Sequence, residues 1–521
     1  MRSVAHSLLI LAFLAATPAL AQQEPPARVG RVAFVAGPLG FHEKGETTWS
    51  KASLNYPVAT GGAFWTDPKS RAELRIGSRS IAMSGNTEVD VAKLDQQVMQ
   101  LAVPQGRINV RVRTLLEGES IEIDLPRGAV WILQPGIYDI DAGGGDQPER
   151  IAVFEGSARF VGGTLDVAIN AGDAAVISGT QTLAAAIEKA TPDEFAKWCR
   201  SRDYDQRRLA APYHVSPQMT GYEVLDEYGS WRTAGNYGTV WYPRSVPVGW
   251  TPYRDGYWSW VQPWGWNWID SEPWGFAPFH YGRWASIDGL WAWAPGDFVD
   301  APVYAPALVS FLNDPAAIVT SALAGAAVGW FPLGPGEAYS PWYSNDPSYI
   351  RAVNAGVVAD PRSPAAGSAG GPAGGNQNFA NRRAATVVPQ QAFAAAQPVG
   401  RSALPISDRA AQQARVTAQA PARPPGAAGG SARGGHAAAG VGSGPAAAGA
   451  AAAAAGVRGG AHTAGMASGA TARVAAPHGG AAARMAQPRA GRITEGMRDE
   501  FRGRLGGGVQ VAAANAGAAD V

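Results

Sequence analysis

One stretch, residues 228–343, constrains the fold of this 521-residue chain more than any other. It holds 14 of the 18 tryptophans, with many glycines, prolines and tyrosines between them. Residues 249–258 align without gaps with residues 275–284, in the pattern Gly-aromatic-x-Pro-aromatic-x-x-Gly-x-Trp, and a degenerate third copy begins at Gly329. A fixed repeat of this kind predicts small stacked units that bury their apolar faces against one another.

Each unit is predicted to be a β-hairpin. Tryptophans two residues apart lie on the same face of a strand, and such pairs flank both turns. Asp288 and Gly289 in the second unit favour a tight type I′ turn, whereas residues 262–265 predict a longer turn in the first. The pairs are Trp258 and Trp260, Trp266 and Trp268, and Trp291 and Trp293.

Two interpretations of this tryptophan stripe stay open at this point. The indoles either fill the core of a small sheet that has little Leu, Ile or Val, or leave part of their number exposed as a ligand-binding surface. Because loops run over the surface, turn residues are the expected exposed ones. The expected core residues are Trp258, Trp266, Trp284 and Trp291. The candidate ligand-binding residues are Trp264, Trp274, His280 and Tyr281.

Residues 1–21 have the pattern of a secretory signal peptide. Arg2 supplies the positive charge, residues 8–14 form a short apolar run, and Ala19-Leu-Ala21 precedes a predicted cleavage site before Gln22. No later apolar run is long enough to span a bilayer. We therefore expect a soluble periplasmic or secreted protein. Its only cysteine, Cys199, excludes an internal disulfide.

Residues 28–180 are predicted to be a β-rich domain without helices, which favours a sandwich, a barrel or a β-solenoid. Short apolar runs alternate with polar residues and are separated by Gly, Pro, Asn and Asp. The six clearest runs are residues 32–35, 72–76, 108–112, 121–125, 137–140 and 151–154.

The motif order in this domain resembles the FecR-type domain of bacterial exported and signalling proteins. The sequence departs from that family at Gly62, where an aspartate is usual, and near Gly77, where Asp-Gly is usual. The resemblance implies a β module of the cell envelope without catalytic activity. The matching motifs are Gly61-Gly-Ala-Phe-Trp-Thr66, Ser70-Arg-Ala-Glu-Leu-Arg-Ile76, Asn86-Thr-Glu-Val89, Leu101-Ala-Val-Pro-Gln-Gly-Arg-Ile108, Pro135-Gly-Ile-Tyr138 and Val153-Phe-Glu-Gly156.

The tryptophan-rich region, assigned to residues 213–358, resembles a second family. This is an uncharacterised domain that follows FecR-type domains in proteobacterial exported proteins, and it carries no established activity to transfer. The matching motifs are Val215-Ser-Pro-Gln-Met-Thr-Gly-Tyr222, Val240-Trp-Tyr-Pro243, Pro273-Trp-Gly-Phe-Ala-Pro-Phe-His-Tyr-Gly-Arg-Trp284 and Val328-Gly-Trp-Phe-Pro-Leu-Gly-Pro-Gly-Glu337.

A connector helix is predicted over residues 191–211, between the two β regions. Thr191-Pro-Asp-Glu194 has the pattern of a capping box. Phe195, Trp198 and Cys199 follow at helical spacing and can dock on a sheet. The thiol is expected to be a small apolar contact rather than a nucleophile, because no histidine lies near it in the sequence.

Residues 360–521 are predicted to be a disordered tail, because Ala, Gly, Pro, Ser, Gln and Arg dominate and Trp and Tyr are absent. Residues 361–521 carry a net charge of +11, and the rest of the chain carries −10. The tail is either a solvated linker or a segment that binds anionic envelope polymers or the acidic half of the chain. Export disfavours nucleic acid as a partner.

No catalytic, metal-binding or cofactor-binding motif is recognised, so we expect no enzyme, metal or cofactor. Asp270 and Glu272 could imitate a glycosidase carboxylate pair, although turn formation before Pro273 explains them as well. The sequence favours a non-catalytic envelope protein that binds glycan, peptidoglycan or another protein. The alternatives are a FecR-type signalling component and a cryptic glycan hydrolase.

Overall fold

The computed structural model describes six segments of the chain, and the remaining residues, including the predicted signal peptide and residues 424–521, lie outside the description. The described segments are residues 25–46, 48–144, 146–203, 208–313, 326–357 and 379–423. The fold is mainly β, as predicted.

The N-terminal region contains eighteen strands in two nine-stranded sheets. In the first sheet the order is β18-β17-β14-β13-β10-β7-β6-β1-β4, and in the second it is β16-β15-β12-β11-β9-β8-β5-β2-β3. The strands are β1 Gly30–Ala36, β2 Leu39–Glu43, β3 Ser50–Lys51, β4 Pro57–Val58, β5 Gly62–Thr66, β6 Arg71–Ile76, β7 Arg79–Met83, β8 Thr87–Leu94, β9 Val98–Gln105, β10 Arg107–Val112, β11 Ser120–Leu125, β12 Gly128–Ile132, β13 Gly136–Asp141, β14 Glu149–Glu155, β15 Ser157–Gly162, β16 Leu165–Asn170, β17 Asp173–Ser178 and β18 Ala184–Lys189.

Alternation of side chains builds the core of this region. Along β8, Thr87, Val89 and Val91 are buried, and the residues between them are half-buried. Successive side chains of a strand point to opposite faces, so one face of each sheet can be apolar. The buried apolar residues of both sheets belong to one continuous core cluster. All six runs that predicted strands lie in strands, namely β1, β6, β10, β11, β13 and β14.

The connector helix, α1, is shorter than predicted and spans Glu194–Ser201. Its N-cap is Asp193, whose side chain accepts a hydrogen bond from Ala196 N, so Thr191 does not cap it. The helix docks on the first sheet as expected, because Trp198 packs against Phe34 with ring centroids 5.9 Å apart. Residues 204–207 are outside the described part of the chain, and residues 211–213 form a short 3-10 turn.

In its described residues, the tryptophan-rich region contains eight strands and three short α-helices. One sheet has the order β19-β20-β24-β23, β21 pairs with β22 alone, and β25 and β26 form the centre of a third sheet. The elements are α2 Leu225–Tyr228, β19 Gly229–Thr233, β20 Thr239–Pro243, β21 Gly256–Val261, β22 Gly265–Asp270, α3 Ala277–His280, β23 Arg283–Ile287, β24 Leu290–Ala294, β25 Val309–Asn313, β26 Ala327–Pro332 and α4 Pro347–Val353.

Both predicted hairpins are confirmed as β21–β22 and β23–β24. Asp288 and Gly289 both have positive φ angles, 51° and 78°, as a type I′ turn requires. The two hairpins lie in different sheets and meet instead through equivalent positions of the repeat. The Tyr253 and Phe279 rings are 4.8 Å apart and nearly perpendicular, and the Tyr253 hydroxyl donates to Phe279 O at 2.7 Å.

The prediction that disorder begins at residue 360 is wrong for residues 379–423. Strand β27 pairs with β26, and β28 pairs with β25, so this segment supplies both outer strands of the third sheet. Between them, Phe393 is buried against Trp258, Trp266 and Trp330. The added elements are β27 Thr386–Pro389, α5 Gln390–Ala394, α6 Val399–Ser402, α7 Asp408–Gln413 and β28 Arg415–Thr417.

One buried carboxylate gives the N-terminal region a pH dependence. Glu149 on β14 is fully buried, and burial raises its pKa from 4.5 to about 7, against the opposing effect of the Arg127 backbone N–H and charge. The folded state therefore binds a proton that the unfolded state has released between these two pH values. Stability due to Glu149 consequently falls as the pH rises through that window.

We expect Glu149→Gln to remove this fall, which amounts to roughly 2–3 kcal/mol. Urea unfolding of wild type and variant at about pH 5 and about pH 8 measures it. Glu188→Gln is the control, because Glu188 forms an exposed pair with Arg150. An equal pH dependence in the wild type and in both variants would contradict the prediction.

Candidate ligand-binding site

The tryptophan stripe is mainly a core. Four of its fourteen indoles, those of Trp231, Trp260, Trp291 and Trp342, are half-buried, and the other ten are buried. Burial is confirmed for Trp258, Trp266 and Trp284 but not for Trp291. The buried residues are Trp241, Trp250, Trp258, Trp264, Trp266, Trp268, Trp274, Trp284, Trp293 and Trp330.

The expectation that Trp264 and Trp274 are exposed is wrong, since their exposed fractions are 0% and 1%. Each lies in a connection between strands, but both connections are covered by other parts of the chain. Trp342 donates its indole N–H to Trp264 O at 3.0 Å. The connection before Trp274 lies against the N-terminal region, where Asn55 donates to Glu272 O and Arg31 donates to Pro273 O.

Three of the four candidate residues converge on one buried ring, that of Tyr304. The ring centroids of Trp264, His280 and Tyr281 lie 5.2, 4.6 and 6.4 Å from the Tyr304 centroid. The Tyr304 hydroxyl donates to Asn267 Oδ1 at 2.9 Å, which fixes the ring in place. The cluster therefore stabilises the core and presents no open aromatic face to a ligand.

Trp274 lies in a separate cluster, with its ring 5.2 Å from Trp241, 5.8 Å from Trp250 and 6.4 Å from Trp284. Three other indoles of the tryptophan-rich region thus cover Trp274, which was expected to face solvent. The structure brings Trp264, His280 and Tyr281 together and leaves Trp274 apart from them. Their assignment as ligand-binding residues stays a prediction, without the exposure that motivated it.

His280 is also unsuited to a surface role. Its exposed fraction is 0%, and burial lowers the pKa of the imidazole to about 3, so it is neutral. Nδ1 lies 2.7 Å from Ala305 O, which makes it the N–H donor in the neutral ring. Tyr281 is 5% exposed and lines a mostly apolar groove with His214 and Phe298.

Of the Asp270 and Glu272 pair, the Asp270 carboxyl group lies inside the fold and not on an open surface. Asp270 is buried, and its two oxygens accept hydrogen bonds from Trp268 Nε1 at 3.0 Å and from Glu272 N at 2.9 Å. Burial raises the pKa of Asp270 well above its usual value. A sugar cannot reach this carboxyl group without opening the fold.

Two further expectations concern metals and the thiol. Within the six described segments, no three His, Cys, Asp or Glu side chains are close enough to hold a metal ion. Cys199 lies on α1 and is half-buried, and burial raises the pKa of its thiol. A raised thiol pKa lowers the thiolate fraction, which is the opposite of what nucleophilic catalysis needs.

Among the half-buried indoles, that of Trp260 on β21 lies next to residues from the C-terminal part of the chain. It packs against Trp266 in an edge-to-face pair with centroids 5.4 Å apart. Trp266 Nε1 donates to Pro421 O at 2.8 Å, and the Arg423 guanidinium lies 5.1 Å from the centre of a Trp260 ring. We call this surface, made by Trp260 and Trp266 and covered by residues 421–423, the Trp260 face.

The N-terminal region borders the Trp260 face. Glu43 at the end of β2 accepts a hydrogen bond from Gln262 N at 3.0 Å, and the charge of Arg423 acts on the Glu43 carboxyl group. Sequence reasoning missed this site because residues 421–423 were assigned to a disordered tail. The Pro421-Ala-Arg-Pro-Pro425 sequence was the available signal, since aromatic-lined surfaces recognise such extended proline-containing segments.

Comparison with known proteins supports one of the two family resemblances. Residues 222–337 match the model of a family described as a family of unknown function (DUF6600). This agrees with the predicted resemblance of the tryptophan-rich region to an uncharacterised domain. No curated protein matches the chain.

Solved structures give a weaker likeness. Two crystal structures of a provisionally assigned anti-sigma factor from Parabacteroides distasonis ATCC 8503 match with 12% and 11% identity. Each match covers 35% of this chain and 99% of the other, with a TM-score of 0.24. A TM-score of this size does not establish a shared fold, so the FecR-type assignment of residues 28–180 stays a prediction.

Proposed function

We propose that the protein is a non-catalytic protein of the cell envelope that binds an extended, proline- and arginine-containing segment of a partner protein at the Trp260 face. One observation supports this most directly: the chain places its own residues 421–423 on Trp260 and Trp266. The face is thus chemically suited to an extended polypeptide.

The contacts resemble those of general peptide recognition. A backbone carbonyl is anchored by an indole N–H, and a guanidinium lies over an indole face, which contributes about 0.5–1 kcal/mol at an exposed site. Glu43 adds a negative charge near the guanidinium. Each of these interactions is available to an equivalent segment from another protein.

A polypeptide ligand is favoured over glycan or peptidoglycan. Stacking on a sugar requires an open indole face, whereas Trp266 is 2% exposed and Trp260 is covered by Arg423. The Trp266 N–H is already matched to a carbonyl oxygen, the acceptor that a polypeptide supplies at every residue. Any ligand of this face must displace residues 421–423, and a polypeptide can replace the contacts that they make.

The N-terminal region acts in this proposal as a fixed support. Ser53 and the Tyr257 hydroxyl are 2.7 Å apart, and Glu43 bonds to the turn after β21. A ligand on the Trp260 face is therefore held in a defined position relative to both sheets. This is the arrangement that a scaffolding protein needs.

Location in the envelope belongs to the same proposal and rests on the signal-peptide pattern of residues 1–21. In the described part of the chain, no helix is long and apolar enough to cross a membrane. A regulatory role through the FecR-type resemblance is an alternative that no contact described above favours.

The test uses a fluorescent peptide with the sequence of residues 415–426 and the full-length protein. We expect Arg423→Ala to weaken the binding of the protein's own residues 421–423 to the Trp260 face. The variant should then bind the added peptide more tightly than wild type does, by roughly 2- to 5-fold. Adding Trp260→Ala to this variant should abolish the gain, because the indole face is lost. Fluorescence anisotropy measures both affinities.

The matched control is Trp291→Ala, which removes another half-buried hairpin indole. It should leave peptide binding unchanged. Equal effects of Trp260→Ala and Trp291→Ala would contradict the proposal. Retention of wild-type protein on peptidoglycan or chitin, lost in Trp260→Ala, would instead identify the face as a glycan site.

A further inference from the structure

A cavity of about 220 Å³ lies between the turn at residues 251–254 and the segment 379–423. It is separate from the Trp260 face. Thr251 and Arg254 line one side, and Arg383 and Thr386 line the other, with Leu404 and Ile406 among the apolar residues between them. Small-molecule sites likewise combine apolar walls with a few polar groups.

The lining carries two positive charges and no carboxylate. Arg383 is held in place by Gln412, whose amide oxygen accepts from Arg383 Nη2 at 3.1 Å and from Nε at 2.5 Å when the amide is oriented for these bonds. Arg254 is exposed and forms no ion pair with any residue of the six described segments. Two guanidinium groups thus border one cavity without a counter-charge in its wall.

Thr251 adds a polar group that is not satisfied by the protein. Its hydroxyl oxygen is buried, and no hydrogen-bond partner for it exists among the described residues. A buried hydroxyl without a partner costs free energy, so such groups often mark the place of a bound water or ligand. The ligand that matches this wall must be an anion with several acceptor oxygens.

We propose that this cavity binds a phosphate group carried on a small, partly apolar molecule. A phosphate monoester carries nearly two negative charges at neutral pH and three acceptor oxygens, which match two guanidinium groups. Guanidinium binds phosphate through paired, charge-assisted hydrogen bonds. A carboxylate carries about half the charge and has one acceptor oxygen fewer.

The position of the cavity gives binding a structural consequence. Arg254 belongs to the repeat, and Arg383 belongs to the segment that completes the third sheet. A phosphate between them would link the two parts. Because it binds only the assembled state, it would raise the melting temperature as its concentration rises above Kd.

The experiment titrates inorganic phosphate and glycerol phosphate into full-length protein by calorimetry and follows the melting temperature in parallel. Acetate and potassium chloride at matched ionic strength separate oxyanion binding from screening. We expect both phosphates to bind and to stabilise, and acetate to do neither. Arg254→Ala and Arg383→Ala should each weaken binding roughly tenfold or more, as expected for lost hydrogen bonds to a charged group.

Arg409→Ala is the control, because Arg409 is exposed on α7 of the same segment and does not line the cavity. Arg254→Ala is the decisive variant, since it leaves the Arg383–Gln412 contact intact. Equal phosphate affinity in wild type and Arg254→Ala would overturn the proposal. So would equal stabilisation by phosphate and chloride, or binding of acetate as tightly as phosphate.

Discussion

A chain shortened to end at residue 378 is expected to lose the folded tryptophan-rich region, whereas a chain shortened to end at residue 423 is expected to keep it. The shorter chain lacks β27 and β28, so both edges of the pair β25–β26 lose their backbone hydrogen bonds. It also lacks Phe393, which fills the space between Trp258, Trp266 and Trp330.

The expected loss is large compared with the stability of a typical domain. Removing one buried phenylalanine side chain costs about 3–5 kcal/mol, and domains are stable by only about 5–15 kcal/mol. The shorter chain also lacks two strands and the contacts of Phe379 and Val388, which are buried as well. We therefore expect the chain that ends at residue 378 to show no cooperative thermal transition in the near-UV circular dichroism of its tryptophans.

Limited proteolysis gives an independent measurement of the same boundary. The stable fragment of the full-length protein should retain residues 379–423 and should melt at the temperature of the 423 chain. The 378 chain should be degraded within its tryptophan-rich region under the same conditions. A 378 chain that melts like the 423 chain would show that the segment is dispensable.

The strands of the N-terminal region could be predicted because the alternation of apolar and polar residues in the sequence matches the alternation of buried and less buried positions in the fold. Val89 and Val91 point inwards, and their neighbours are half-buried. The hairpin at Asp288 and Gly289 was predictable for a local reason, since its two positive φ angles select these residue types. Both signals are contained within a few consecutive residues.

The folded part of the tail was not predicted because the overall composition of residues 360–521 hides a short segment that is richer in Val and Phe. Val387, Val388 and Phe393 lie within seven residues and are buried. Alone this segment cannot offset its ordering entropy. It folds because β25 and β26 offer two unpaired edges, which is a property of the assembled sheet.

The expectation that the candidate ligand-binding tryptophans are exposed was wrong for a related reason. Trp264 and Trp274 lie in connections that would be exposed in an isolated repeat, and the rule that loops run on the surface applies to such a repeat. Trp342, Asn55 and Arg31 cover them in the complete chain. Contacts between residues 78 to 242 positions apart leave no pattern in the local sequence.

Another buried long-range contact is the ion pair of Arg31 with Glu223. Arg31 Nη2 lies 2.7 Å from Glu223 Oε1, and Arg75 Nη1 lies 3.2 Å from the same oxygen. Arg31 is 1% exposed and Glu223 is 5% exposed. One carboxylate thus contacts two guanidinium groups of the N-terminal region at its boundary with the tryptophan-rich region, and Arg75 also pairs with Glu73 at 2.6 Å.

The pKa of Glu223 reflects this arrangement. Burial alone would raise the pKa, but the charges of Arg31 and Arg75 outweigh burial and lower it from 4.5 to about 2. The stabilisation is therefore fully present above the unfolded-state pKa of 4.5 and is lost as the pH falls towards 2. At neutral pH the network is intact.

Glu223→Gln is expected to destabilise the protein at neutral pH by about 3–5 kcal/mol, because it leaves the buried Arg31 guanidinium without a counter-charge. The difference from wild type should shrink as the pH falls below 4.5, where wild-type Glu223 begins to lose its advantage over the amide. Urea unfolding across this pH range measures both effects.

The matched control is Glu155→Gln, which makes the same change in an exposed pair with Arg111. It should cost less than about 1 kcal/mol, as exposed ion pairs do. If Glu223→Gln cost no more than Glu155→Gln, the buried pair would not hold the two regions together. The fixed support that the proposed scaffolding function assigns to the N-terminal region would then lose its basis, even with peptide binding at the Trp260 face intact.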